Sequence, residues 1–448
     1  MKRRLALDLC ILSVALFTIA GTPAGAQTPF IGMGDSLGEG VQSADANWRT
    51  QPNSYLNLVA QQMGAIFPLP LIVGSPLAGI ESVVGRARLT PNIPASNLAV
   101  SGATVDSMLT QAASLPVTNE ADLVLEPRTG TQMQIAQSLK PRFTICWIGN
   151  TDALTAAIAW DQLNASQLTP LSQFTADYAQ IASDLAGLGG KVVVGTIPNV
   201  TQIAFLFSPQ DLITFLGSDY GLPAGSYTSL PAMLLLKLGL ANASLLQNPD
   251  YVLDPTEVAT IDQAVTEFNQ IITSSAAANG FAVADINSLF TQAQQTPPVF
   301  YNVALTRQFN GGLFSLDGVH PSDIGHALVA NAFIAAANAK FGMDIPQLNQ
   351  SQLTQIAAAD PFIDWNGGLV VAGRPLAGWL ETLGPIVGIS GDLNNKPGAT
   401  PQEAKIDKAA GQEFMRRYLA RKGLPENTPW GPEDAIQAMK EAMKQLLP

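Results

Sequence analysis

Short apolar runs recur along the first two-thirds of the chain: residues 29–33, Asn97-Leu98-Ala99-Val100, residues 143–148, Lys191-Val192-Val193-Val194-Gly195 and Phe281-Ala282-Val283-Ala284-Asp285. They are continuous, not alternating, which is the pattern of strands buried on both faces. Longer segments with helical periodicity separate them. The clearest are 53–63, 172–188, 255–278 and 321–340, the last opening with Pro321 at a favourable first-turn position. The alternation predicts an α/β fold, a three-layer α/β/α sandwich around a mostly parallel five-stranded sheet.

Two stretches depart from this rhythm. Residues 199–250 are too long for a connection and carry Ile203-Ala204-Phe205-Leu206-Phe207, Leu212-Ile213-Thr214-Phe215-Leu216 and Met233-Leu234-Leu235-Leu236. Apolar excursions of this size usually cover something, so an apolar helical insertion is expected there, either a cap over an acyl pocket or an ordinary extension of the core. After residue 346 the strand rhythm stops and basic residues concentrate, among them Arg416, Arg417, Arg421 and Lys422. Thr400-Pro401-Gln402-Glu403 has capping-box spacing, predicting a helix that runs on to Gly423 behind a linker at 391–399. A final helix is expected after Pro432. Residues 347–448 thus read as a helical C-terminal extension with a solvated basic face.

The chain opens Met1-Lys2-Arg3-Arg4, continues through an apolar run from Leu9 to Ala20 and reaches Ala24-Gly25-Ala26. This is the pattern of a secretory signal peptide over residues 1–26, cleaved near Ala26, and predicts a secreted or periplasmic protein. The apolar run is too short for a hydrocarbon core of roughly 30 Å, and no transmembrane segment follows. Cys10 lacks the small preceding residue of a lipid-modified cysteine. Beyond the leader only Cys146 remains, so an internal disulfide is ruled out, and its apolar setting marks a buried thiol.

Net charge is −12 with 13% charged residues, and losing the leader makes the balance more acidic. Nucleic acid is excluded as a partner on that ground, and a neutral substrate fits better. Oligomeric state is not encoded in these features. No His/Cys/Asp/Glu cluster has metal-ligand spacing and no phosphate-cradling loop is present, so no metal or other cofactor is expected.

The chemistry concentrates in Gly34-Asp35-Ser36-Leu37-Gly38 and Asp317-Gly318-Val319-His320-Pro321. A serine hydroxyl needs an imidazole to become a nucleophile, and the imidazole needs an orienting group. The chain has two histidines, His320 and His326. His326 falls inside a predicted helix and reads as a packing or surface residue. Asp317 lies three residues before His320, so one turn can present both. Gly34 to Gly38 also spells the G-x-S-x-G elbow of α/β-hydrolases. That elbow follows several earlier strands, whereas Ser36 follows the first predicted strand.

The arrangement instead resembles the GDSL, or SGNH, hydrolase family. Gly34-Asp35-Ser36-Leu37 looks like its first block, Asn97-Leu98-Ala99-Val100-Ser101-Gly102-Ala103-Thr104 like its second, and Asp317-x-x-His320 like its last. The resemblance spans about residues 28–345 and implies an SGNH/flavodoxin-like sheet and a hydrolase domain over 27–346. It further implies a Ser36-His320-Asp317 triad cleaving carboxylic esters of small molecules or lipids. The backbone N–H groups of Ser36 and Gly102 would then bind the oxyanion. The third block departs: the family pattern is Gly-x-Asn-Asp, and this chain has Gly149-Asn150-Thr151-Asp152. Anchoring on Gly149 and Asp152 puts Thr151 at the donor position, with Asn150 able to take the role in an altered turn. Asp152 reads as a cap for the helix that follows, Asp35 as a turn carboxylate. The family includes lipases, thioesterases and carbohydrate acetylesterases. A sugar O-acetylesterase and a weakly active or non-catalytic binding or surface protein on the same fold are the alternatives to a secreted esterase or lipase.

Overall fold

Phe30, Ile31, Met33, Ile145 and Val193 have no exposed surface, as strands covered on both faces require. The computed structural model describes residues 29–74, 83, 85–158, 162–365, 370–371, 390–391, 396–398 and 408–443. The leader at 1–26, Cys10, the Thr400–Glu403 capping box and most of the linker at 391–399 lie outside the described residues. The central sheet is parallel, in the order Phe30–Gly34, Phe143–Trp147, Lys191–Gly195, Ala282–Ala284, with Phe30 opposite Phe143 and Thr144 opposite Val192. The helices Tyr55–Met63 and Asp323–Phe341 pack together over one face; Val105–Thr110, Leu171–Gly187 and Pro255–Asn279 form the opposite layer. The α/β/α sandwich is therefore present.

The sheet has four regular strands where five are expected. Residues 96–100 do run alongside the first strand: Gly32 N donates to Ser96 O at 3.1 Å, Leu98 N to Gly32 O at 2.8 Å and Val100 N to Gly34 O at 3.1 Å. The ladder breaks because Gly34 N donates to Gln132 Oε1 at 3.1 Å, and Gln132 Nε2 donates to Gly34 O at 3.0 Å. A side-chain amide has taken the bond that the fifth strand would have used. Pro321 is likewise displaced from its expected role: the helix is Asp323–Phe341, capped by the Ser322 hydroxyl, and Pro321 precedes the cap.

The 199–250 segment is mixed rather than helical. Leu206–Phe207, Tyr227–Ser229 and Val252–Leu253 form a small antiparallel sheet flanked by the helices Pro209–Leu216 and Leu230–Lys237. Two- and three-residue strands are too short to leave a period of two in the sequence. Phe205 N donates to Gly318 O at 2.8 Å, which joins the insertion to the loop holding Asp317 and His320.

The C-terminal extension is built into the domain. Asn331 exchanges side-chain hydrogen bonds with both backbone groups of Leu348, at 2.9 and 2.8 Å, so the 346/347 boundary runs through a stitched segment. The helix Gln350–Ala359 packs on Asp323–Phe341, and Asp360 Oδ2 accepts from Ile324 N at 2.8 Å, capping that helix four residues beyond His320. Further on, the described residues include the helices Lys408–Arg421 and Pro432–Met443, the second opening with its proline as expected, while the expected opening of the first at 400 lies outside them. Pro432–Met443 packs against Leu230–Lys237 of the insertion. Three basic residues there form surface pairs: Arg416 and Arg417 with Glu413, Lys422 with Glu441. Surface pairs of this kind each contribute about 0–1 kcal/mol.

Candidate active site

The first strand ends at Gly34, where φ is +148° and a Cβ would lie 2.2 Å from Trp147 O, so glycine is required. Asp35 then caps the single-turn helix Ser36–Glu39 through Leu37 N, and Gly40 closes it in the left-handed conformation. This places Ser36 at the carboxyl edge of the sheet, on the first residue of a helical turn. Its backbone N–H has no acceptor among the described residues.

Although 284 residues separate them, His320 Nε2 lies 2.8 Å from Ser36 Oγ. His320 Nδ1 lies 2.7 Å from Asp317 Oδ2. An ionised carboxylate only accepts, so Nδ1 carries the proton and Nε2 presents its lone pair to the hydroxyl. Asp317 is itself held from several sides: Oδ1 accepts from Val319 N at 2.8 Å and His320 N at 2.9 Å, and Oδ2 from Ala44 N at 2.7 Å. Burial alone would raise its pKa. The imidazole and the backbone donors outweigh burial and keep the carboxyl below its ordinary value.

The turn after residues 96–100 is closed by Ala103 N to Val100 O at 3.1 Å, with Gly102 at φ +76° in its third position. Gly102 N–H also lacks an acceptor among the described residues. Of the two candidates in the third block, the structure brings Asn150 to the site. The helix Asn150–Ile158 already contains Asp152, so the turn after Gly149 winds into it at Asn150. Asn150 Nδ2 donates to Asp35 Oδ2 at 2.8 Å, while the Thr151 hydroxyl has no hydrogen-bond partner among the described residues. One Nδ2 hydrogen remains for a second acceptor. Asp152, expected to cap its own helix, accepts from Val105 N at 3.1 Å and Thr169 Oγ1 at 2.8 Å, and so caps the earlier helix Val105–Thr110.

Burial pushes Asp35 up to about 6, although Asn150 and Leu37 N favour the ionised form. His326 is fully buried, stacks with Tyr55 at 6.3 Å and is pushed down to about 3 by burial and the neighbouring His320. It is a packing residue. Cys146 is buried, its thiol pushed up to about 12, which makes it inert. Sequence reasoning passed over Glu39 and Glu120, buried behind the Gly102 turn. The signal available was an acid between two glycines, three residues past the nucleophile.

A family model described as GDSL-like Lipase/Acylhydrolase matches residues 31–333. No curated protein matches the chain. Solved structures similar to it include an acetylxylan esterase from Geobacillus stearothermophilus, at 13% identity and TM-score 0.37, covering 73% of this chain and 98% of that one. An alpha/beta hydrolase enzyme from the metagenome of Lake Arreo, Spain, matches at 14% identity and TM-score 0.36, covering 70% of this chain and 96% of that one. A lipase/acylhydrolase from Enterococcus faecalis matches at 12% identity and TM-score 0.34, covering 69% and 96% respectively.

Proposed function

The chain belongs to the GDSL-like lipase/acylhydrolase family, and from that premise we propose that it is an exported esterase working through a Ser36-His320-Asp317 triad. The contact that carries this reading is the relay from Ser36 Oγ through His320 to Asp317, at 2.8 and 2.7 Å. Ser36 Oγ attacks the ester carbonyl carbon while His320 Nε2 takes its proton. The tetrahedral intermediate collapses, the C–O bond to the alcohol breaks, and the imidazolium returns the proton to the departing oxygen. Water then attacks the acyl-serine by the same route, releasing the carboxylic acid and restoring the hydroxyl. Asp317 fixes the tautomer and stabilises the imidazolium.

The backbone N–H groups of Ser36 and Gly102 and the second hydrogen on Asn150 Nδ2 are the donors for the oxyanion in this scheme. Their lack of other acceptors among the described residues supports it. The apolar insertion joined to Gly318 favours acyl esters over sugar acetates as substrates. The leader pattern at 1–26 supports export, and among the described residues no helix is long and apolar enough to cross a membrane.

The test is hydrolysis of p-nitrophenyl esters from acetate to palmitate by the purified protein beside Ser36→Ala. Turnover lost in the variant and rising beyond acetate supports the reading. No turnover at any chain length, or turnover that survives Ser36→Ala, overturns it.

A further inference from the structure

Glu39 is fully buried at the end of the same helical turn that begins with Ser36. Its Oε2 accepts two hydrogen bonds from one residue of the neighbouring loop, Ser101 N at 2.7 Å and Ser101 Oγ at 2.6 Å. Ser101 immediately precedes Gly102. One carboxylate thus spans from the nucleophile's helix to the second oxyanion turn.

The other side of that carboxylate is built as carefully. Glu120, 3% exposed, is close enough for the Glu39 charge to act on it, and Oε1 of each acid has no hydrogen-bond partner among the described residues. Burial and the Glu39 charge push the Glu120 pKa well up, against the pull of Arg86. Arg86 closes the far side, with Nη1 2.5 Å from Glu120 Oε2 and Nη2 donating to Ala46 O at 3.0 Å.

We propose that Glu39 is a positioning residue, a buried strut that sets the spacing between the Ser36 and Gly102 N–H groups. The inference rests on the reading of those groups as oxyanion donors. Oxyanion stabilisation depends on donors placed before the reaction begins, and a shift of about 1 Å costs on the order of 100-fold. Ser101 cannot hold the turn alone, because both of its donors end on Glu39.

The test is steady-state kinetics of the full chain on p-nitrophenyl butyrate. Glu39→Ala is expected to lower kcat about 10- to 100-fold with KM within about threefold, because the donors act on the transition state. Glu39→Gln keeps an acceptor for Ser101; it restores kcat to within about fivefold of wild type. A Glu39→Ala enzyme with unchanged kcat, or a Gln variant as poor as the Ala variant, overturns the inference. Ser101→Ala covers the case in which Glu39→Ala misfolds. It removes one of the two contacts and should lower kcat about 3- to 10-fold, and wild-type kcat in that variant overturns the strut. An inactive wild-type protein, or activity surviving Ser36→Ala, sinks the ester-hydrolase reading itself. Normal wild-type kinetics with Glu39 and Ser101 insensitive sinks only the strut.

Discussion

Asn150 donates from Nδ2 to Asp35 Oδ2 at 2.8 Å, tying the third motif to the residue before the nucleophile. The tie aims the side chain and leaves one hydrogen for the reaction. Asn150→Ala is therefore expected to lower kcat by about 100- to 1,000-fold, the usual cost of one oxyanion donor. Thr151→Val should stay within a few-fold of wild type. Kinetics showing the opposite ranking would return the donor role to Thr151.

Burial pushes Asp152 up to about 6 from 3.8. Because the folded pKa is the higher one, this group favours the folded state fully below pH 3.8 and loses that contribution as pH rises through 6. The loss is about 3 kcal/mol by pH 8. Asp35 follows the same sign, whereas Asp317, held below its ordinary value, contributes at neutral pH and loses its contribution on acidification. Asp152→Asn has nothing to titrate. Urea unfolding should show it gaining on wild type between pH 4 and pH 8; an equal difference at both pH values would contradict this.

Gly318 sits at φ +72°, and a Cβ there would lie 2.6 Å from Phe205 N. Gly318→Ala must break the joint between insertion and catalytic loop or shift Asp317 and His320. Left-handed strain adds about 1–2 kcal/mol. The expected result is a kcat/KM at least about tenfold lower, with faster proteolytic nicking within 203–253. Wild-type values in both assays would show the joint to be slack.

Asp360 belongs to the extension yet caps the helix that follows His320. Asp360→Ala should cost about 1–2 kcal/mol in chemical unfolding, and a chain cut after residue 346 should lose more, since the Leu348 bonds go with it. A truncated protein as stable as the full chain would make the extension a true appendage.

The nucleophile turn and the Asp317-x-x-His320 loop were legible because each packs its chemistry into consecutive residues. What the sequence concealed depends on distant partners. Gln132 breaks the fifth strand from more than 30 residues beyond it, and nothing within 97–100 announces the interruption. That Asn150 rather than Thr151 meets Asp35 depends on how the turn after Gly149 winds into its helix, which the spacing of Gly149 and Asp152 does not show. Nothing local marks Glu39, because the groups around it, Ser101, Glu120 and Arg86, come from three other segments.

The first strand lies inside the sheet, with residues 96–100 on one side and Phe143–Trp147 on the other, and the imidazole for its serine arrives only at position 320. During synthesis Ser36 leaves the ribosome long before anything can activate it. In the proposed mechanism the nascent chain is chemically silent toward esters until the last part of the domain has emerged and closed over the first. Recovery of turnover after dilution from urea therefore times the completion of the whole domain, later than any signal from its early helices.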